Sequence, residues 1–391
     1  MKRESWLGTR DSALLAETLT HLRVLVGYDT RNPPRAIGSE GMFDYLRAQL
    51  PGFKCVLADH GAGALSLFAV RGKPRLLFNV HLDTVPDSPQ WSANPFELRI
   101  EDERAIGLGA CDIKGAAAAL LAIANATQGD LALLFSTDEE GRDPRCIASF
   151  LTNASGVPAA ESRAAAFEAI VVAEPTRGEA VLAHRGVHSV QVGFTGRAGH
   201  ASNVQHRDDS AVHQALRWGH AALEFAQAQA HQRFGGLTGL RFNIGRIEGG
   251  IKANMIASSA QLQVGLRPLP SMDADALLKR LRDLTDPAPA RFEETFRGPS
   301  LPAGADFEGN LAGAETRRLA ARDLVDELGL AVGNAVDFWT EAALFSQAGY
   351  IAFVYGPGDI AQAHAADEWV ALGQLRAYAE SIRRLVEAGL T

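Results

Sequence analysis

His81 and Asp83 are the first residues in the chain whose types and spacing indicate a metal site. They follow an apolar run at 76–80, which predicts a buried strand that ends at the histidine. Residues two apart on an extended chain face the same side, so Asp83 can accept one imidazole N–H and leave the other nitrogen for a cation. Taken alone, the pair is better explained as a turn aspartate beside a histidine with satisfied hydrogen bonds.

Three further apolar runs end in a similar way. Each predicted strand is followed by side chains that bind metals or transfer protons: 131–136 by Glu139 and Glu140, 169–173 by Glu174, and 350–355 by a loop that contains His364. Strands covered on both faces are continuous apolar runs, and sites in open α/β sheets form beyond the carboxyl ends of their strands. Two adjacent glutamates at such an edge repel each other unless cations lie nearby. The sequence therefore favours a metal site over packing.

A glycine-rich stretch at 105–115 supplies another candidate ligand, Asp112. It lies just before an Ala-rich helix that we expect to end at about residue 126. The Gly-x-Gly in this stretch lacks the spacing of a dinucleotide-binding motif, and no P-loop pattern follows it. We therefore reject a nucleotide site.

Nitrogen and oxygen ligands without thiolates suit zinc or a similar ion such as cobalt. The candidates are His81, Asp112, Glu140, Glu174 and His364. They are more than one tetrahedral ion needs, whereas two ions bridged by one carboxylate use them all. Paired ions roughly 3.5–4 Å apart are a device for hydrolysis, and a carboxylate outside the ligand set must then accept the proton of the water. One of the two adjacent glutamates suits this role, but their spacing does not decide which.

The middle of the chain predicts a second kind of domain. Between 187 and 297 the predicted elements follow the order β-α-β-β-α-β, which is a split-βαβ unit of the ferredoxin-like kind. We expect an α/β catalytic domain at 1–186 plus 298–391, with a mixed, mostly parallel sheet flanked by helices. The smaller α+β domain is expected to be inserted between its two halves.

Length and composition limit the class of protein. A chain of 391 residues is too long for one ordinary core, and a net charge of −8 argues against binding to nucleic acid. The segment 1–12 has no apolar core, and no apolar run is long enough to cross a membrane, so we expect no signal peptide and no membrane partner. Three scattered cysteines without a C-x-x-C pair favour a reducing cytoplasm.

Six short segments together resemble the M20 family of dizinc amidohydrolases and peptidases. They are 81–83, 107–115, 138–140, 174–176, 199–202 and 363–368. Because they extend over most of the chain, the resemblance is specific. It implies two zinc ions, with cobalt as a possible substitute. Asp112 would bridge the two ions, His81 and Glu174 would hold one, and Glu140 and His364 would hold the other.

The resemblance also implies roles outside the ligand set. Glu139 would be the general acid and base, and Asp83 would orient a ligand histidine. The resemblance implies a homodimer in which the inserted domain, 187–297, serves as dimerisation domain and lid. His200 would reach the other subunit's site and help to hold the oxyanion. Arg267 and Asn254 would bind the substrate carboxylate. Without the resemblance, the sequence favours simpler interpretations of these three residues. His200 would be a solvated loop residue, Arg267 would be a charge at the end of a strand, and Asn254 would be a turn residue.

The expected activity is the hydrolysis of the acetyl amide of an N-acetyl-L-amino acid. Segments 29–34, 111–115 and 340–342 are similar to the deacetylases of arginine biosynthesis. Segments 250–257 and 334–341 resemble the members that act on N-acetyl-L-citrulline, so this resemblance implies that substrate. Acetylornithine or a short peptide is the alternative substrate within the family. A non-catalytic metal-binding module is the alternative of a different class, and the presence of every expected ligand and of the expected base disfavours it.

Overall fold

A computed structural model describes residues 10–141, 143–152, 167–203, 208–303 and 311–391. The first nine residues, which are part of the segment expected to contain no signal peptide, lie outside the described residues. The described helices are α1 Arg10–Val26, α2 Met42–Ala48, α3 Gly115–Ala126, α4 Cys146–Thr152, α5 Ala211–Ala228, α6 Ala274–Arg282, α7 Leu311–Glu327, α8 Ala342–Gln347 and α9 Leu372–Glu387. None of them is long and apolar enough to cross a membrane.

The strands fall into one large sheet and several smaller ones. They are β1 Lys54–Asp59, β2 Leu65–Arg71, β3 Leu76–His81, β4 Arg99–Glu101, β5 Arg104–Ile106, β6 Leu131–Ser136, β7 Ala169–Val172, β8 Val187–Thr195, β9 Gly199–His200, β10 Arg233–Phe234, β11 Leu237–Thr238, β12 Arg241–Gly249, β13 Met255–Ile256, β14 Ser259–Arg267, β15 Arg291–Gly298, β16 Ile351–Val354 and β17 Trp369–Ala371. The chain divides into two compact units.

The larger unit comprises Met1–Leu182, Ala320–Gly333 and Thr340–Thr391. Its six-stranded sheet has the order β1-β2-β6-β3-β7-β16. The four strands β6, β3, β7 and β16 are parallel, and β1 and β2 form an antiparallel edge. This is the mixed, mostly parallel sheet that the apolar runs predict, and the expectation of an α/β fold is confirmed.

The helix α3 explains how this sheet is covered. Its residues from Gly115 to Ala124 are all buried, and it packs between α1 and α9. A helix that is apolar on every side belongs in a core, and alanine side chains let the neighbouring helices approach closely. The covered sheet then has a fixed carboxyl edge, on which the strands β6, β3, β7 and β16 all end.

The smaller unit comprises Ala183–Leu319 and Asn334–Trp339. Its antiparallel sheet has the order β12-β14-β8-β15, and α5 packs on three of these strands. The core between sheet and helices contains Trp218, which is fully buried and donates its indole N–H to the carbonyl oxygen of Leu281 at 2.8 Å. The ferredoxin-like order of elements is therefore observed. The unit includes 187–297 together with flanking segments. The assignment of catalysis to 1–186 plus 298–391, and of a separate role to 187–297, stays a prediction.

Candidate metal centre

His81 is the last residue of β3, and its ring lies among carboxylates. Nε2 is 3.1 Å from Asp112 Oδ1 and 3.4 Å from Glu174 Oε1. Nδ1 lies 3.0 Å from the main-chain oxygen of Asp83 and 3.5 Å from its carboxylate Oδ1. The expected partner of Nδ1 was the carboxylate, and the nearer partner is the carbonyl. A carbonyl only accepts, so the neutral ring carries its proton on Nδ1 and offers Nε2 to a cation.

His364 lies in the loop beyond β16 and forms a second group of the same kind. Its Nε2 is 3.1 Å from Asp112 Oδ2 and 2.9 Å from Glu140 Oε1. The two oxygens of Asp112 thus face two different histidines. In both groups the possible ligand atoms lie within 4.8 Å of one another. The five expected ligands therefore meet at one edge of the sheet, and Asp112 is the residue that both groups share.

The turn Ala110–Lys114 presents Asp112 to both histidines. It follows Gly109, whose φ of +79° is in the left-handed region that favours glycine. A Cβ atom there would lie 2.7 Å from the Thr84 methyl carbon, so a side chain has no room. The glycine signal in the sequence therefore serves a tight turn that positions a carboxylate.

Asp83 contacts the loop that contains the two adjacent glutamates. Its Oδ1 accepts the backbone N–H of Glu139 at 3.3 Å, and its Oδ2 accepts the backbone N–H of Glu140 at 3.0 Å. The Asn32 amide donates to Oδ2 at 2.8 Å. One buried carboxylate thus fixes the backbone of this loop and also lies beside His81.

Burial and charge shift the pKa of Glu139, Glu174 and His364 at this edge. Burial raises the pKa of Glu139 well above its usual value, and its carboxylate neighbours raise it further while His81 opposes them. Burial likewise raises the pKa of Glu174 to about 7. Hydrogen bonds to Asp112 and Glu140 raise the pKa of His364 to about 11. This edge therefore favours bound protons or cations over uncompensated negative charge.

These residues fit a pair of divalent cations. The donors are imidazole nitrogens and carboxylate oxygens, which suit zinc, cobalt and similar ions. Glu174 Oε1 is buried without a hydrogen-bond partner among the described residues, as expected of an atom prepared for a cation. Glu139 belongs to neither ligand group, although it follows the same strand as Glu140. A carboxylate outside the ligand set, as hydrolysis requires, is thus present beside both groups.

The remaining expected site residues lie in the smaller unit. His200 is exposed and pairs with Met255 between β9 and β13. The carbonyl oxygen of Asn254 accepts the backbone N–H of Ala201 at 3.0 Å, so His200 and Asn254 are near neighbours. The Ser202 backbone N–H donates to Nδ1 of His200. Nδ1 is therefore an acceptor, and a neutral His200 carries its proton on Nε2, where it can be donated.

Arg267 ends β14 in a different part of the smaller unit. Its Nη1 donates to the main-chain oxygen of Asp337 at 3.3 Å. Burial lowers the pKa of Arg267, Asp337 raises it, and the buried Arg185 lowers it. Arg185 in turn donates to the Asp337 carboxylate and to the Arg267 carbonyl, so Asp337 links two guanidinium groups. The side chain of Arg267 is half-buried, which suits the binding of a planar anion.

The sequence is similar to those of known proteins along most of its length. Residues 77–388, most of the chain, match the model of peptidase family M20/M25/M40. The chain belongs to this family. An N-acetyl-L-citrulline deacetylase from Xanthomonas campestris pv. campestris is 64% identical over 374 residues, which are 95% of this chain and 98% of that protein. An acetylornithine deacetylase from Edwardsiella ictaluri is 30% identical and covers 81% of this chain and 78% of its own length.

Solved structures share the fold of this M20 protein. The aminopeptidase PepT from Bacillus cereus matches with a TM-score of 0.67 at 17% identity, covering 96% of this chain and 99% of its own. A dinuclear metal-binding peptidase of the M20 family from Bacillus subtilis matches with a TM-score of 0.63 at 14% identity, covering 97% and 99%. At such identities the likeness establishes the fold, and it confirms the expected architecture.

Two charged residues of this M20 protein are buried, although residues of their types usually lie at the surface. Glu341 is only 1% exposed. The Ser136 hydroxyl donates to its Oε2 at 3.1 Å, and Oε1 has no partner among the described residues. Burial raises the pKa of Glu341 to about 8. No periodic pattern in the sequence reveals this burial, since the partner lies 205 residues away.

Lys114 is the second buried charged residue. It lies just before α3, and its side chain is fully buried. Nζ donates to the carbonyl oxygen of Tyr28 at 3.0 Å. Burial lowers the pKa of Lys114 to about 8, although Glu368, Asp29 and Asp83 oppose that shift. A buried cation so close to the carboxylate-rich edge offsets part of its negative charge.

Proposed function

We propose that this chain is a dizinc amidohydrolase that converts N-acetyl-L-citrulline and water into L-citrulline and acetate, a step of arginine biosynthesis. The observation that carries the chemistry is the sharing of Asp112 between two histidine–carboxylate groups. The 64% identity to an N-acetyl-L-citrulline deacetylase over 95% of the chain supports the choice of substrate. Relatives of this identity and coverage support an enzyme more strongly than a non-catalytic module.

Two divalent cations are assigned to the ligand groups. His81, Glu174 and Asp112 would hold one, and Glu140, His364 and Asp112 would hold the other. We propose zinc as the resident ion and cobalt as an ion that can replace it, because both accept this donor set. When bound, such a pair polarises a carbonyl and lowers the pKa of a water molecule. Any proton on Nε2 of His81 or His364 must leave before that atom can act as a ligand.

Glu139 is assigned as the general base and acid. One of its carboxylate oxygens accepts a proton from the water whose oxygen adds to the acetyl carbonyl carbon. The same carboxyl group then donates that proton to the amine nitrogen as the C–N bond breaks. Two observations support the assignment: Glu139 lies outside both ligand groups, and its raised pKa favours holding a proton between these events. The backbone hydrogen bond to Asp83 orients the loop that carries it.

The smaller unit is assigned to substrate binding and to dimer formation. Arg267 and Asn254 bind the substrate carboxylate, and the Nε2–H of His200 donates to the oxyanion in the site of the other subunit. Exposed apolar side chains of Leu216, Leu223 and Ile247 on this unit support a protein interface. The protein is proposed to be a homodimer, and its reduced cysteines support a location in the cytoplasm.

N-acetyl-L-ornithine is a second candidate substrate, because acetylornithine deacetylases are also relatives of this chain. Citrulline ends in a neutral ureido group and ornithine in a cationic amine, so the two substrates need different partners at that end. The deciding experiment compares turnover of N-acetyl-L-citrulline, N-acetyl-L-ornithine and a dipeptide by the same preparation, before and after removal of cations with a chelator. We expect the citrulline derivative to be hydrolysed fastest and all activity to return with zinc or cobalt. Faster hydrolysis of either other substrate, or activity that survives chelation, would contradict the proposal.

A further inference from the structure

Glu368 is a buried carboxylate that belongs to neither ligand group. It lies four residues beyond His364 and is 2% exposed. Its Oε1 accepts the backbone N–H groups of Cys111 at 2.8 Å and Asp112 at 2.9 Å, and its Oε2 accepts that of Gly109 at 3.0 Å. Both oxygens are therefore committed to the backbone of the turn that carries Asp112.

The backbone of Glu368 adds a fourth link to the same stretch. Its carbonyl oxygen accepts the N–H of Gly107 at 3.0 Å. A buried carboxylate is expensive unless several donors satisfy it, and three backbone N–H groups do so here. Because these donors lie more than 250 residues away in the sequence, the contact joins two distant segments instead of stabilising a local turn.

The segment between His364 and Glu368 needs such a restraint. His364 and Asp367 have φ values of +56° and +55°, in the left-handed region that ordinary side chains avoid. Each such residue costs on the order of 1 kcal/mol or more unless its surroundings impose the conformation. Asp367 Oδ1 accepts hydrogen bonds from the Ser92 hydroxyl at 2.8 Å and from Arg99 at 2.9 Å. Asp367 and Glu368 together hold this strained segment in place.

We infer that Glu368 is a positioning residue that sets the separation between Asp112 and His364 and so completes the cation position that these two share with Glu140. The inference rests on the proposed function, because it assumes that the two ligand groups hold cations. In the structure, the Glu368 carboxylate fixes the backbone of Asp112 while its own main chain leads directly to His364. Across this link, Asp112 Oδ2 and His364 Nε2 lie 3.1 Å apart.

The test measures cation binding by the full-length chain, with Zn²⁺ and Co²⁺ as probes. Cation equivalents retained after dialysis and the affinity of each equivalent are compared for the wild type, Glu368→Gln and His364→Ala. Glu368→Gln replaces one accepting oxygen by a donating amide, which faces a backbone N–H. We expect Glu368→Gln to lower the affinity for one cation equivalent by about 10–100-fold. The affinity for the other equivalent should stay within a few fold of the wild-type value, as we expect for His364→Ala. The Co²⁺ absorption spectrum of the weakened position should change as well.

Two further variants provide a second test of Glu368 and a matched control. Glu368→Asp retains the charge but is one methylene shorter, and we expect the same position to weaken by a smaller factor even if Glu368→Gln does not fold. Asp273→Asn is the matched control, because Asp273 also accepts a backbone N–H, from Ala276 at 3.0 Å, at the start of a helix in the smaller unit. The control should bind both equivalents with wild-type affinity.

The results separate this inference from the proposed function. If the wild type and both Glu368 variants bind two equivalents with equal affinity, the positioning role is wrong and the proposed metal centre stands. Loss of both equivalents to the same extent would also overturn it, because Glu368 would then support the whole turn instead of one position. A wild-type chain that binds fewer than two equivalents would overturn the proposed metal centre itself, and this inference with it.

Discussion

The amide nitrogen of Asn32 lies 2.8 Å from Oδ2 of Asp83, and both side chains are buried. Asp83 also accepts the backbone N–H groups of Glu139 and Glu140, so Asn32 is a third donor to this carboxylate. The carboxylate thereby holds the loop that carries the proposed base, Glu139. The segment that contains Asn32 was noted in the sequence only for its resemblance to deacetylases. Through Asp83, Asn32 helps to hold the backbone of Glu139 and Glu140 in place.

This contact predicts a defect in turnover without a defect in substrate binding. Asn32→Ala removes one donor to Asp83, and we expect kcat to fall roughly 10- to 100-fold because a small displacement of the base is costly. KM and cation content should change little. Asn94→Ala is the control, since Asn94 makes an exposed side-chain contact with Glu97 elsewhere in the larger unit. A raised KM with unchanged kcat would contradict this role.

Glu139→Gln should separate proton transfer from cation binding. The variant keeps the shape of the side chain but cannot accept or return a proton, so kcat should fall by about 10²–10⁴-fold. Both cation equivalents should be retained, because Glu139 belongs to neither ligand group. Glu168→Gln is the matched control, since Glu168 is exposed and just precedes β7, at the strand end opposite Glu174. Full turnover by Glu139→Gln would remove Glu139 from the mechanism.

Arg267→Lys should weaken substrate binding. A lysine keeps the charge but loses the planar pair of donors that binds a carboxylate in bidentate fashion. We expect KM for the N-acetylated amino acid to rise about tenfold or more, with the cation content unchanged. Arg291→Lys, an exposed arginine paired with Glu293 in the same unit, should leave KM at the wild-type value. An unchanged KM in Arg267→Lys would exclude a direct contact with the substrate carboxylate.

The proposed dimer predicts complementation between two inactive variants. His200→Ala and Glu139→Gln each inactivate a different part of a site, and a mixed dimer would contain one site with both residues intact. Co-expression of the two chains should restore up to about a quarter of the wild-type activity. Each variant expressed alone provides the baseline. Activity that stays at that baseline, in a preparation shown to contain mixed dimers, would place His200 outside the partner's site.

Glu341 makes the stability of the fold depend on pH. Its pKa is about 8 in the folded chain, against a usual value of 4.5, so between these values the folded state holds a proton that the unfolded state has released. The free energy of unfolding therefore falls as the pH rises through this window, by up to about 1.4 kcal/mol per pH unit. Glu341→Gln should remove this contribution and become more stable relative to the wild type at higher pH.

Urea unfolding at several pH values, with a chelator present throughout, measures that difference. The curves of free energy against pH for the wild type and Glu341→Gln should diverge from about pH 5 to pH 8 and run parallel above it. The exposed Glu168→Gln should follow the wild type over the whole range. Parallel curves for Glu341→Gln and the wild type would mean that the Glu341 carboxyl does not titrate abnormally.

Much of the fold was predictable because its signals are local. The apolar runs that predict β3, β6, β7 and β16 are continuous, and each ends abruptly at polar residues, so both the strands and the edge they share follow from the sequence. The last helix, Leu372–Glu387, buries Leu375, Ile382 and Val386 at helical spacing, which is also a local signal. Alternating and helical periodicity likewise gave the order of elements in the smaller unit.

Other features depend on contacts that no local pattern encodes. The burial of Glu368 needs backbone donors from residues 109–112, and that of Glu341 needs a hydroxyl from the end of β6. Base rates place such glutamates at the surface, and only the tertiary structure overrides them. The partner of His81 Nδ1 differed for a similar reason, because the Asp83 carboxylate accepts hydrogen bonds from Asn32 and from the backbone of Glu139 and Glu140.

Asp112 directs its two oxygens to His81 and His364, so both ligand groups depend on this one residue. A substitution at Glu174 or at His364 removes a donor from one group alone, whereas a substitution at Asp112 damages both in a single step. In the proposed centre, loss of Glu174 or of His364 would therefore leave one cation position complete. Loss of Asp112 would leave neither position complete.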